Sequence, residues 1–200
     1  MAFPTELALA TKNAGKIREI LEICHDWPVA WLIHGRDGHV WPDVEETGQT
    51  YVENALLKAR AVAAVAGAPG VADDSGIEVD LLGSDPGPRS ARFAGDQASD
   101  RENLQLLIAR VAPAPPSARS ARYRCIAACA WPDGREVWAE GTVDGSLILE
   151  PRGAGGFGYD PIFVPDGHPG RTMAELSPEE KNAISHRGRA FRALSELLVG

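Results

Sequence analysis

Leu7-Ala8-Leu9-Ala10-Thr11-Lys12-Asn13-Ala14-Gly15-Lys16 decides the architecture, because two periodicities meet inside it. Leu7 to Ala10 is a short apolar run that fits a buried strand. Beyond Lys16 the apolar positions become Ile17, Ile20, Leu21 and Cys24, the spacing of one helix face. A strand that turns straight into a helix opens an α/β fold. Val29 to Ile33 reads as a second strand. Thr50-Tyr51-Val52-Glu53 is a capping box for a helix through about Val65. A buried strand near Val71-Ala72 then delivers Asp73 and Asp74. Ser99-Asp100-Arg101-Glu102 caps another helix, through about Val111, and the proline-rich 112–117 stretch is a connector. The later chain gives antiparallel signals: Tyr123 to Trp131, the turn Pro132-Asp133-Gly134, and a return strand to Thr142. A glycine-rich loop over 153–158 precedes a strand at Ile162-Phe163-Val164. Ser177-Pro178-Glu179-Glu180 starts a helix with proline in its first turn. A last helix from about Ser185 carries Phe191, Leu194, Leu197 and Leu198. Early alternation followed by hairpins predicts an α/β protein with a mixed sheet, in two lobes with a cleft between them.

A chain of 200 residues fits one large domain or two closely packed lobes. At 44% hydrophobic and 24% charged it can bury a core and is no disordered tail. Its formal net charge of -8 argues against nucleic-acid or anionic-membrane partners, which need a basic surface. A phosphorylated small ligand stays open, since a few local cations and a metal can hold a phosphate chain. The first residues lack the basic start and apolar run of a secretory signal, and the uncharged 61–72 stretch is broken by Gly67, Pro69 and Gly70. A cytoplasmic location without membrane contact is therefore expected. Cys24, Cys125 and Cys129 are expected to be reduced, buried apolar residues.

Five segments have the right residues for chemistry, each with a plainer alternative. Thr11 to Lys16 sits at a helix start, where free N–H groups and the dipole favour an anion and Lys16 adds a charge. An ordinary N-cap with a solvated lysine fits as well, and the pattern is not a Walker A loop. Asp73-Asp74-Ser75-Gly76 holds adjacent carboxylates that a hard Mg²⁺ can compensate, but it is also good turn chemistry. Glu45 and Glu46 are further metal carboxylates or a solvated acidic loop, and Lys58 faces phosphate or water. In Gly153 to Asp160, Phe157 offers a ring to a base and Asp160 an acceptor; the alternative is a hairpin with Phe157 in the core. Lys181, His186 and Arg187 are donors suited to a 6-oxo purine, which would reject a 6-amino one, or they belong to a surface helix.

In their order and wording these segments resemble the inosine triphosphate pyrophosphatase family, from Leu9 to about Arg189. The residues that carry it are Thr11-x-Asn13-x-x-Lys16, Glu45-Glu46-Thr47-Gly48, Asn54-Ala55-x-x-Lys58-Ala59, Ala72-Asp73-Asp74-Ser75-Gly76, Pro88-x-Ser90-Ala91-Arg92, Gly155-Gly156-Phe157-Gly158-Tyr159-Asp160-Pro161 and Ser185-His186-Arg187-Gly188. The resemblance implies a single domain over residues 1–200, with a mixed, strongly twisted sheet flanked by helices and a nucleotide cleft between two lobes. It implies Mg²⁺-dependent conversion of ITP, dITP and XTP to the monophosphate and pyrophosphate, by a cytoplasmic homodimer. Thr11, Lys12, Asn13, Ala14, Gly15 and Lys16 would bind the phosphates, with Lys16 and Asp74 catalytic. Asp74 and Glu45 would hold the metal. Ser75 would contact nucleotide; Phe157, Gly158, Tyr159 and Asp160 would pack on the base; Lys181, His186 and Arg187 would read its oxo edge. Lys12 departs from the glycine that many members carry there.

Overall fold

Both periodicities of the opening stretch are realised: Glu6–Leu9 is strand β1 and Ala14–Ile23 is helix α1. The chain is described here by a computed structural model covering residues 3–168 and 170–199. Next come β2 (Ala30–Ile33), α2 (Tyr51–Ala66), β3 (Gly70–Val79), α3 (Asp100–Val111), β4 (Ser120–Ala130), β5 (Glu136–Leu147), β6 (Phe163–Pro165), α4 (Pro178–Ile184) and α5 (His186–Leu198). The strands form one sheet in the order β2-β1-β3-β4-β5-β6. β1 lies parallel to both β2 and β3, which requires crossovers, and α1 and α2 supply them. β6 runs antiparallel to β5, so the sheet is mixed, as expected.

Both expected capping boxes close. Thr50 Oγ1 accepts from the N–H of Glu53, and Ser99 Oγ accepts from the N–H of Glu102. Pro178 occupies the first turn of α4, where its missing N–H costs nothing.

The chain divides into two compact units. The first contains the described residues up to Asp74, then Cys125–Gly141 and Arg187 onward; the second contains Ser75–Arg124 and Thr142–His186. In the first unit strand alternation sorts the core. Leu7, Leu9, Val71, Cys125, Ala127 and Cys129 pack with Ile20 of α1, Cys24 at its C-cap, and Phe191, Leu194 and Leu198 of α5. The intervening residues Ala8, Ala10, Ala72 and Ala130 pack with Ala59 and Val62 of α2. Successive strand residues point to opposite faces, so each helix layer collects one parity. In the second unit Ile77, Val79, Leu107, Val111, Val143, Phe163 and Met173 form a separate core.

Two local readings are corrected. Asp73-Asp74-Ser75-Gly76 is not a turn, because β3 runs through it to Val79. The return strand does not stop at Thr142; pairing of Gly145, Ser146 and Leu147 with β6 carries it through residues of low strand propensity. Of the apolar residues that the last helix carries, Leu197 is exposed. The cysteines are free and buried, as expected. No described helix is long and apolar enough to cross a membrane.

Candidate active site

Helix α1 begins with its donors arranged for an anion. Asn13 is the N-cap, and its Oδ1 accepts from the Lys16 N–H at 3.0 Å. Thr11 Oγ1 accepts from the Asn13 N–H at 3.2 Å. Helix geometry leaves the Ala14 and Gly15 N–H groups without intrahelical partners. Thr11, Lys12, Asn13 and Lys16 line a cavity of about 270 Å³, with Trp41, Asp43, Glu46, Lys58 and Asp73 on its other sides. Trp41 was not foreseen. Its indole N–H donates to the Leu9 carbonyl at 2.9 Å, which ties this wall to β1. Lys12, the departure from the family pattern, reaches Asp43 Oδ1 at 2.6 Å.

The two adjacent aspartates differ because β3 sends them to opposite faces. Asp73 joins the α1/α5 side. Its Oδ2 takes Lys16 Nζ at 3.0 Å and both Nε and Nη2 of Arg187 at 3.1 Å. Burial alone would raise the Asp73 carboxyl, but Lys16 and Arg187 outweigh it and hold the group far below the usual carboxylate range. Asp74 joins the α2 side. Its Oδ1 meets Lys58 Nζ at 3.2 Å and its Oδ2 accepts from Asn54 Nδ2 at 3.4 Å. Burial pushes the Asp74 carboxyl above its ordinary value; Lys58 pulls against this and Glu46 adds to it.

Lys58 is not the water-facing residue that the sequence favours. It is largely buried, with Nζ 2.8 Å from Glu46 Oε1 as well as on Asp74. Asp74 therefore meets the cavity through Lys58, which lines it. Of the two glutamates, Glu46 joins this cluster, whereas Glu45 is exposed and does not line the cavity. The all-oxygen donor set of Asp74 and Glu46, already sharing one ammonium, suits a hard divalent cation. Asp73, committed to two cations, is less suited.

Arg187 lies among carboxylates of the first unit. Its side chain is 1% exposed, and Nη1 donates to Glu19 Oε2 at 2.7 Å while Nε and Nη2 serve Asp73. All three guanidinium nitrogens hold carboxylates of the first unit. Glu19 was missed, although a glutamate one turn after Lys16 and beside apolar Ile20 is a signal for a buried partner.

The second unit holds another cluster, centred on Asp160. Its Oδ1 accepts from Tyr123 Oη at 3.2 Å, and its Oδ2 accepts from the Phe157 N–H at 3.0 Å and Lys181 Nζ at 2.8 Å. Asp160 is thus a buried strut for the loop and for Lys181. Tyr159 is also buried, donating to the Ser90 carbonyl at 2.8 Å. Phe157 is half-buried, with Lys181 Nζ 5.2 Å from its ring centre. The Gly158 N–H donates to Asp100 Oδ2 at 3.1 Å. His186 stacks on Tyr123 at 4.6 Å and 9°. Ser75 is half-buried on β3, next to Asp74 in the chain.

Cations and carboxylates converging on one cavity of a mixed sheet are equipment for the chemistry of a phosphorylated substrate, and the class is hydrolase. Residues 7–197 match the model of the Ham1 family, and the chain belongs to that family. It is 54% identical over 192 residues to the dITP/XTP pyrophosphatase of Streptomyces coelicolor, covering 95% of each chain. It is 52% identical over 191 residues to the dITP/XTP pyrophosphatase of Streptomyces avermitilis, again covering 95% of each. A solved HAM1 protein of Coxiella burnetii superposes with a TM-score of 0.85 at 43% identity, covering 96% of this chain and 98% of that one.

Proposed function

We propose that this enzyme hydrolyses ITP, dITP and XTP to the monophosphate and pyrophosphate, with Mg²⁺, and so clears such nucleotides from the cellular pool. The observation that carries the reading is the division of the aspartate pair. Asp73 is locked to Lys16 and Arg187, while Asp74 sits with a raised carboxyl beside Lys58 and Glu46. The names of the relatives support the substrate class.

In this mechanism Lys16, Lys12 and the first-turn N–H groups of α1 hold the phosphate oxygens. Asp73 keeps Lys16 aimed. Asp74 orients a water and takes its proton as the water oxygen bonds to phosphorus; the bond to the departing pyrophosphate oxygen breaks. Asp74 and Glu46, rather than Glu45, would hold the metal, which neutralises phosphate oxygens and the leaving group. At the base end, Lys181 and His186 present donors to a 6-oxo group and reject a 6-amino one.

The test is product analysis with ITP, XTP, dTTP, UTP, ATP and GTP, with and without Mg²⁺. Metal-dependent pyrophosphate release, with kcat/KM highest for ITP or XTP, is expected. Orthophosphate release would make it a phosphatase, no release a nucleotide sensor, and preference for ATP or UTP would end the oxo-purine reading. The same reading carries a cytoplasmic homodimer, for which light scattering should give twice 21.3 kDa, and a mass of 21.3 kDa would reject the dimer.

A further inference from the structure

Lys58 occupies the place where two carboxylates would receive a metal. Its ammonium lies 2.8 Å from Glu46 Oε1 and 3.2 Å from Asp74 Oδ1, and its side chain is 14% exposed. Asn54, one turn earlier on α2, holds the other Asp74 oxygen and so turns Oδ1 toward Lys58. Asp74 and Glu46 would hold a divalent cation on the same oxygens that now face the ammonium. Two cations cannot share that position without strong repulsion.

We propose that Lys58 is a resident cation that keeps metal binding to the free enzyme weak until a triphosphate draws it away. The inference rests on the reading above that Asp74 and Glu46 are the metal carboxylates. A lysine fits such a duty because its compact charge rides on a flexible four-carbon stem. Lys58 also lines the cavity that Lys12 and Lys16 share, so phosphate oxygens placed there offer an alternative partner. When it turns to them, both carboxylates open. Metal and triphosphate then strengthen each other's binding, and by linkage the effect is reciprocal. A lysine that only gripped phosphate would have no such effect on metal affinity.

The experiment titrates the full chain with Mn²⁺ alone, followed by electron paramagnetic resonance. Lys58→Met should bind Mn²⁺ at least tenfold more tightly than the unmodified protein. Adding Glu46→Gln to Lys58→Met should abolish the gain, which locates it. Equal or weaker binding by Lys58→Met, or a gain that survives Glu46→Gln, overturns the proposal. Should Lys58→Met not fold by circular dichroism, Lys58→Gln removes the charge, keeps an amide donor for the carboxylates, and carries the same expectation. Pyrophosphate release by the unmodified enzyme is measured separately. Its absence would end the proposed function, whereas release without tighter Mn²⁺ binding in either variant would end only the inference about Lys58.

Discussion

Asp73 and Asp74 are chemically identical neighbours, and the environment alone separates them. Asp74→Asn should lower kcat by about 10²–10⁴, the usual contribution of a general base, with the fold intact by circular dichroism. Unchanged turnover would remove Asp74 from the chemistry. Because burial raises its carboxyl, with Lys58 opposing and Glu46 reinforcing, the acid limb of the rate profile should lie above the ordinary value of an aspartate. Activity falls as pH drops through that limb, since the base must be ionised. Asp73→Asn should act on stability, as one partner of a buried ion network is lost at a cost of about 3–5 kcal/mol. At about 2–4 °C per kcal/mol, Tm should fall by roughly 10 °C. The sign with pH is fixed by a folded value below the unfolded one: Asp73 stabilises above the ordinary carboxylate range, and its advantage shrinks as pH falls below that range. Thermal melts between pH 7 and pH 3 should thus show the two proteins converging, and a constant gap would contradict it. The pair was visible in the sequence and the resemblance singled out Asp74, but the partners that divide the two were not visible. The Asp73 partners lie 57 and 114 residues away, at Lys16 and Arg187.

At the scale of elements, two glycines mark places where backbone and side chain meet without room for a Cβ. Gly156 has φ +71°, and a Cβ there would overlap the Asp160 carboxylate that carries Lys181 and the Phe157 N–H. Gly156→Ala should therefore raise KM for ITP by about tenfold, in keeping with a loss near 1.4 kcal/mol. A KM within twofold of the unmodified value would show that the loop is not positioned this way. Gly70 opens β3 against α2, where a Cβ would strike the Ala59 carbonyl. There is no flexible side chain to yield, so Gly70→Ala should lower Tm more than kcat, as paired melting and turnover measurements would reveal. Elements whose signals are local were legible: both capping boxes, the Asn13 cap, proline at the start of α4 and the two periodicities around Thr11. Elements fixed by distant partners were not. Asp73 to Gly76 has turn composition yet stays extended, and Asp144-Gly145-Ser146 is strand because β6 pairs with it. Lys58 illustrates the same limit for the site, since its two carboxylates come from β3 and from the loop before α2.

For the whole molecule, a formal charge of -8 opposes a polyanionic substrate, while Lys12, Lys16 and Lys58 gather on one cavity. The two contributions respond to salt with opposite signs. If the overall charge governed encounter, added salt would screen repulsion and lower KM. If the local lysines govern it, the same salt screens attraction and raises KM. Distance decides between them: at 0.1 M the Debye length is about 10 Å, so charges spread over the surface are already damped, whereas cations lining the cavity act at contact. Half-buried Lys16 and largely buried Lys58 are also screened less than exposed carboxylates. Raising sodium chloride from about 0.02 M to about 0.3 M should therefore increase KM for ITP severalfold, with kcat nearly constant. Lys12→Ala should flatten that slope, because Lys12 is the most exposed of the three cavity lysines. Steady-state kinetics at fixed free Mg²⁺ decide the matter, and a KM that falls with salt would mean that the overall acidity dominates substrate capture.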